Sequence, residues 1–325
     1  MTAEAVAEVF ETHRPRLFAV AYRMLGSAGD AEDAVQDTYL RWAGAESAAI
    51  VTPAAWLTTV LTRICLNRLT SARATREQYV GTWLPEPVAT ALPGPADVVE
   101  QRDALSFGLL VLLERLTPSE RAVFVLREAF AHTHHEIAEM IGISESASQQ
   151  LLRRAKVRLE AAQSNTQARF TASDAESQRL VGSFLAAAQR GDHDELVRML
   201  SADVTAWADG GGTVPAARRP IRGVDHFVRY VMATLGRLRE IPALDVQLSM
   251  LEVNGAPAVV ATGGGRLMLV AIIEVEGGRI TSMRSVMSPE KLAFMARQLG
   301  HTTVDAETVA TLIALWRQRT PEQGA

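Results

Sequence analysis

His134 to Leu159, HHEIAEMIGISESASQQLLRRAKVRL, reads as a helix, a tight turn at Gly142 and a second helix whose exposed face is basic. Ile137, Met140 and Ile141 share one face of the first helix, and Gly142 supplies the backbone freedom for a sharp turn at its end. Ser144 is placed to cap the second helix, where Ala147, Leu151, Ala155 and Leu159 recur every four positions and are predicted to point inward. That leaves Ser146, Gln149, Gln150, Arg153, Arg154, Lys156 and Arg158 facing outward. Side-chain amides pair with base edges, and guanidinium groups with guanine or phosphate, so the outline is that of a DNA-reading helix-turn-helix. An amphipathic helical hairpin with a solvated basic face has the same pattern, and the rest of the chain must separate the two.

The chain has 325 residues, 48% of them hydrophobic, with a net charge of −4, a pI near 6.0 and a mean hydropathy of +0.05. That is enough for two or three compact domains. No apolar run approaches the roughly 18 residues of a membrane span, and the first residues, MTAEAVAEVFETHRPR, do not read as a signal peptide, so a cytoplasmic protein is expected. A single cysteine, Cys65, excludes an internal disulfide and a cysteine metal cluster, and its apolar helical setting predicts a small core residue. No cofactor or metal site is expected. The slightly acidic charge means that any DNA contact must come from local basic surface.

Outward from the helix-turn-helix, the residues before it read as all-helical. One helix runs through Tyr22 and Leu25, a second covers Asp30 to Ala43 and a third opens at Pro53. Tyr79 to Pro95 carries four prolines and reads as a linker. A second helical block runs from Asp97 to about Gln163, with Thr117, Pro118 and Glu120 forming a capping-box start. Beyond it, a helix at Ser177 to Arg190 precedes strands predicted at Val204–Ala208, Val246–Val253, Ala258–Ala261, Arg266–Val275 and Arg279–Met287. Asn254-Gly255 and Gly277-Gly278 mark hairpin turns, and Gly263-Gly264-Gly265 a turn or bulge, so the pattern predicts an α+β domain with a curved antiparallel sheet. His132, His134 and His135 lack the other ligands of a metal site and are expected to be solvated helix-end histidines.

Asp30 to Trp42, DAEDAVQDTYLRW, resembles the polymerase-binding helix of extracytoplasmic-function RNA polymerase sigma factors. The resemblance implies that Asp33, Gln36, Asp37 and Leu40 meet the β′ clamp, while Ala34, Val35 and again Leu40 help to pack the domain. Pro53 to Arg76 resembles the family's helix for the −10 promoter element, with Arg63, Asn67, Arg68, Arg73 and Arg76 as its DNA-contacting residues, and Ala43 to Thr52 the loop that captures a flipped base. The helix-turn-helix then takes the −35 element and the β flap. Each block alone is a weak signal, and their order is the strong one.

Trp83-Leu84-Pro85-Glu86-Pro87 and Asp209-Gly210-Gly211-Gly212 are similar to motifs of the subgroup with a fused SnoaL-like domain, the sigma-J type or group 41. A third motif of that subgroup stands here as Ser288-Pro289-Glu290-Lys291-Leu292, and Thr213 replaces the usual basic residue after the glycines. The implied fold is two all-α sigma domains (1–76 and 105–163) joined by a Pro-rich linker (77–104). A cone-shaped, nuclear-transport-factor-2-like α+β domain (175–292) and a helical tail (293–325) follow. The implied function is promoter-specific initiation with core RNA polymerase, regulated in cis by the C-terminal domain through Trp83 to Pro87, Asp209 to Gly212, Pro289, Lys291 and Leu292. Two alternatives stay open: a one-component regulator that senses a small-molecule ligand in the α+β domain, and a sigma factor with a residual enzymatic pocket. For the pocket, Asp203, Asp209, His226 and Tyr230 are the acid and base candidates and Trp207 a wall, although Asp209 before three glycines also reads as a turn former. No paired acid and base spacing demands catalysis, so the chain is expected not to be an enzyme.

Overall fold

The computed structural model describes residues 3–45, 50–76, 79, 81–90, 106–166, 175–241 and 244–319. The chain divides into two compact units, one of residues 1–78 and 92–170, the other of 79–91 and 171–325.

The first unit opens with α1 (Ala3–Leu25), α2 (Ala28–Ala43) and α3 (Pro53–Arg76). Gly26 ends α1 with a positive φ of 69°, and Ser27 starts α2 by accepting a hydrogen bond from the Asp30 amide at 3.0 Å. Leu17, Tyr22, Met24, Leu57, Leu61 and Cys65 fill the core, and Trp42, fully buried, donates from its indole to the Val6 carbonyl at 2.9 Å. Burial pushes the Cys65 thiol up to about 12, which keeps it an unreactive core residue. Leu40 departs from its expected packing role: it is 61% exposed. In a helix it stands one heptad after Asp33, on the acidic face.

Within the same unit, α4 (Phe107–Leu113), α5 (Pro118–Phe124), a π-helical turn (Val125–Ala129), α6 (His134–Ile141) and α7 (Glu145–Thr166) form the helix-turn-helix block. Reciprocal capping boxes start α5 (Thr117 with Glu120) and α6 (Thr133 with Glu136), and Gly142 ends α6 in the left-handed region at φ 72°. Ala155 and Leu159 are buried as expected, while Ala147 and Leu151 are only half-buried. The fully buried position near the start of α7 is the polar Ser148, made tolerable by a 2.9 Å hydrogen bond between its hydroxyl and His134 Nδ1. That bond removes His134 from the solvated histidines.

His132 is no solvated histidine either. Its side chain is 13% exposed, and its Nε2 is buried without a hydrogen-bond partner. Burial first, then the nearby Arg16, holds its pKa below the usual value against the opposing pull of Glu136. Just below about pH 6.5 the unfolded chain therefore takes up a proton that the folded one refuses, so stability is whole above that pH and falls as pH drops through it. His132→Asn should flatten the fall in urea midpoint between about pH 7.5 and 5.5; an unchanged slope would remove His132 as its source.

The second unit contains α8 (Ala175–Arg190), α9 (His193–Met199), β1 (Leu200–Asp209), β2 (Ile221–Arg222), α10 (Val224–Arg239), β3 (Gln247–Val253), β4 (Ala256–Gly263), β5 (Arg266–Glu276), β6 (Arg279–Val286), α11 (Pro289–Gln298), β7 (Thr302–Thr303) and α12 (Ala306–Arg319). The sheet order is β2-β1-β6-β5-β4-β3, with β7 added beside β5. It is not wholly antiparallel as expected: β1 runs parallel to β6, and β7 parallel to β5. The expected hairpin at Asn254-Gly255 is present, both residues having positive φ (52° and 71°). One face of the sheet, through Ala206, Ala208, Val259, Leu269, Ala271 and Met283, packs with Phe184 of α8 and Phe227 of α10 into the core of the cone.

Candidate functional site

On α2, Asp33, Gln36 and Leu40 are exposed and Asp37 half-buried, at the i, i+3, i+4 and i+7 spacing of one helical face. Arg68 of α3 reaches this face. Its guanidinium bonds Asp37 Oδ2 at 2.8 Å and lies 3.9 Å from carboxylate oxygens of both Asp30 and Asp33. The residue expected on the −10 DNA thus leans on the face expected to meet polymerase. Arg63 is also engaged: its Nε donates to the Met140 carbonyl at 2.9 Å and its Nη2 to that of Glu139 at 3.4 Å, at the C-terminal end of α6, where a cation meets the negative end of the helix dipole. Asn67 is exposed on α3. Arg73 and Arg76 lie on the same helix, with side chains outside the described residues, as are residues 46–49 of the expected base-capturing loop.

All seven outward positions of α7 are exposed. Ser146, Gln149, Gln150 and Arg153 form one face at helical spacing. The other three lean on the domain itself: Arg158 and Arg154 approach the buried Glu120 carboxylate at 2.5 and 3.9 Å, and Lys156 bonds Glu128 at 3.0 Å.

The second unit holds a buried ionic centre at the end of β1. Asp209 has a fully buried side chain, and its Oδ2 accepts from Lys291 Nζ and from the Leu84 amide, each at 2.7 Å. Its Oδ1 accepts from the Gly211 amide at 3.0 Å and from the Tyr79 hydroxyl. Lys291, near the start of α11, also donates to the Leu84 carbonyl at 2.6 Å, and its ammonium lies 4.1 Å from the Trp83 ring centroid and 4.7 Å from that of Tyr79. One carboxylate and one ammonium therefore grip both backbone polar groups of Leu84 between two aromatic rings. Burial raises the Tyr79 pKa, and the hydrogen bond to Asp209 raises it further, so the phenol stays a donor.

The glycines around this centre are there for space. A Cβ on Gly210 would fall 1.9 Å from the Val214 carbonyl oxygen, and one on Gly211 2.4 Å from Ser288 Oγ. Downstream, the segment continues along the free edge of β3. Val88 and Asn254 exchange bonds of 3.0 and 2.9 Å, Ala89 bridges Val253, and the Ala89 amide donates to Gln298 Oε1 at 3.0 Å. Leu84, Pro85, Pro87, Val88 and Ala89 are buried, Trp83 and Glu86 half-buried, and on α11 Leu292 is fully buried. Residues read from sequence as a linker thus form a short added strand that covers a sheet edge. Sequence reasoning missed Tyr79, Asn254 and Gln298 as parts of this site. Of these, only Asn254 carried a local signal, its place in an Asn-Gly turn.

The acid and base candidates do not converge. Asp203 is exposed and bonded by Ser201, and exposed His226 pairs with Arg229 at 2.8 Å. Asp209 is saturated with donors. Trp207 is not a cavity wall: it faces away from the cone and packs on the Arg284 guanidinium, 4.8 Å from its ring centroid. Tyr230 alone lines the cavity inside the cone.

Residues 9–75 match the Sigma-70 region 2 family model, and residues 107–159 match Sigma-70, region 4. The chain is 38% identical over 294 residues to the ECF RNA polymerase sigma factor SigJ of Mycobacterium tuberculosis, covering 87% of this chain and 91% of that protein. It is 32% identical over 301 residues to the probable ECF RNA polymerase sigma factor SigI of the same organism, covering 91% and 98%. The crystal structure of M. tuberculosis SigJ superposes with a TM-score of 0.70 at 35% identity, covering 88% of this chain and 98% of that one. No helix among the described residues is long and apolar enough to cross a membrane. Two promoter-reading helical blocks in this order, followed by a SnoaL-like α+β domain, make this chain a member of the extracytoplasmic-function RNA polymerase sigma factors, an alternative sigma factor for transcription initiation.

Proposed function

We propose that this sigma factor acts in the cytoplasm, docks on the β′ clamp of core polymerase through Asp33, Gln36, Asp37 and Leu40 and on the β flap through its helix-turn-helix block, and is regulated in cis by its SnoaL-like domain. On this reading α3 reads the −10 element with Arg63, Asn67, Arg68, Arg73 and Arg76. The α7 face reads the −35 element with Ser146, Gln149, Gln150 and Arg153, while Arg154, Lys156 and Arg158 take phosphates. Regulation runs through Trp83 to Pro87, held by Asp209, Gly210 to Gly212, Pro289, Lys291 and Leu292. A small molecule in the α+β domain is a further input to the same control.

The observation that carries the regulatory reading is the Asp209–Lys291 grip on Leu84, because that segment lies in sequence between the two promoter-reading blocks. A tether fixed at its middle limits how those blocks can rearrange. Arg63 sets a second condition, since it cannot hold the carbonyls of α6 and a DNA strand at once, so promoter engagement requires α3 and α6 to part. Arg68 exchanges partners in the same way, leaving Asp37 for DNA as basic groups of the clamp take over the acidic face.

The test is in vitro transcription with core polymerase, comparing the full chain with a truncation after Gln163. Promoter-specific initiation altered by the truncation is expected. DNA binding with no polymerase-dependent initiation would contradict the proposal and favour a one-component regulator.

A further inference from the structure

The cone of the second unit encloses a cavity of about 40 Å³. Its walls come from α8 (Phe184, Ala188), α10 (Val231, Leu238) and the sheet (Ile273, Met283), and no charged side chain lines it. Its polar groups are the hydroxyls of Tyr230, Thr234 and Ser285. The Tyr230 hydroxyl is fully buried and makes no hydrogen bond. Such a group costs about 1–3 kcal/mol, and its retention at the wall of an apolar cavity calls for an explanation.

We propose that this cavity is a binding site for a small, neutral, mostly apolar molecule with one hydrogen-bond acceptor, a ketone or ether oxygen, which the Tyr230 hydroxyl bonds. The apolar walls favour hydrocarbon and refuse a charge, because nothing in the lining repays the desolvation of an ion. Burial raises the Tyr230 pKa, against weaker opposing effects of Ser285, Thr234 and Arg237, so the hydroxyl remains a neutral donor. The lining has no carboxylate or imidazole to act as a base, so the molecule is bound and not turned over. Leu185, Leu235 and Leu248, all half-buried, are the lining residues free to give way to a larger occupant.

The site is placed to act on the Asp209 centre. Met283 and Ser285 project from β6 into the cavity, and the same strand continues to Met287 and Ser288, whose amides bond the Asp209 carbonyl at 2.7 and 3.2 Å. Lys291 follows within the next turn. This coupling rests on the reading of the SnoaL-like domain as a regulatory unit; the binding does not, and the experiment reads binding alone.

The full-length protein, labelled with 13C at its methionine methyls and with Met283 assigned by M283L, is titrated with cyclopentanone, cyclopentane and cyclopentanecarboxylate. Saturable movement of the Met283 signal is expected with the ketone, weaker binding with the hydrocarbon, and none with the carboxylate. Tyr230→Phe should weaken ketone binding by roughly three- to tenfold and erase the preference over cyclopentane, as for loss of one neutral hydrogen bond. Ala271→Phe, which fills the cavity, should block all binding. No saturable ketone binding, equal ketone affinity in Y230F, or carboxylate binding as tight as the ketone's would each overturn the proposal. Should A271F fail to fold, Y230F still decides, because it removes a single buried oxygen.

Discussion

Asp209→Ala is expected to destabilise the second unit by about 3–5 kcal/mol, the usual cost of stranding one member of a buried ion pair. The size follows from the surroundings. Lys291 has a 10% exposed side chain and Asp209 none, so removing the carboxylate leaves an ammonium with only the Leu84 carbonyl and two ring faces to replace water. The same substitution deprives the Leu84 amide and the Tyr79 hydroxyl of their acceptor. Lys291→Met removes the charge from the other side, and the double variant D209A/K291M strands neither ion. It should therefore be more stable than the sum of the two single losses predicts, with a coupling above about 1.5 kcal/mol in urea unfolding.

Both single variants should also shift polymerase-dependent transcription in the same direction, since each frees the segment between the promoter-reading blocks. Combining them should add little, because a released segment cannot be released twice. Additive effects on transcription would mean that the two residues act on different steps and that the grip on Leu84 is not the regulated contact. Opposite signs for the two single variants would be equally damaging.

The elements carried by local rules were legible in the sequence. The capping boxes at Thr117 and Gly142's left-handed cap follow from neighbours a few residues apart, and the alternating strands between Gln247 and Val286 follow from a period of two. What was hidden depends on distance along the chain. Asp209 meets Tyr79, Leu84 and Lys291 across separations of 130, 125 and 82 residues, and nothing in the local pattern of Tyr79 announces a buried carboxylate partner. The motifs at 83–87 and 209–212 were visible through family resemblance, which pointed to the right loops without their chemistry. The parallel pairing of β1 with β6 was hidden for the same reason, as a crossover leaves no periodicity, and β2 and β7, two residues each, are too short to have one. Ser148 misled in the other direction. A polar residue on an amphipathic helix reads as outward-facing, and only the imidazole of His134 on the neighbouring helix makes its burial affordable.

Arg121→Ala is the other substitution with a large expected effect, and it tests whether the two promoter-reading blocks must part. Arg121 of α5 is 2% exposed, pairs with Glu114, and donates from Nε to the Arg23 carbonyl at 3.0 Å, so it ties the helix-turn-helix block to the end of α1. Beside it, Phe130 stacks under Arg23 at 4.7 Å and Arg16 at 5.6 Å, and burial lowers the Arg23 pKa to about 10. Removing Arg121 strands Glu114, which is 18% exposed, and leaves a cavity, for a loss of about 3 kcal/mol in the stability of the first unit. Phe130→Ala loosens the same contact without stranding a charge. If α3 must leave α6 before DNA can be read, both variants should increase the separation of fluorophores placed on α3 and α7 in the free protein. At a temperature where the blocks remain folded, both should also raise promoter affinity in the presence of polymerase. A loss of stability with unchanged fluorophore separation and unchanged promoter affinity would show that the Arg63 contact with α6 is no barrier to recognition. The closed arrangement would then be a packing preference of the free chain, and control would rest on the Asp209 centre alone.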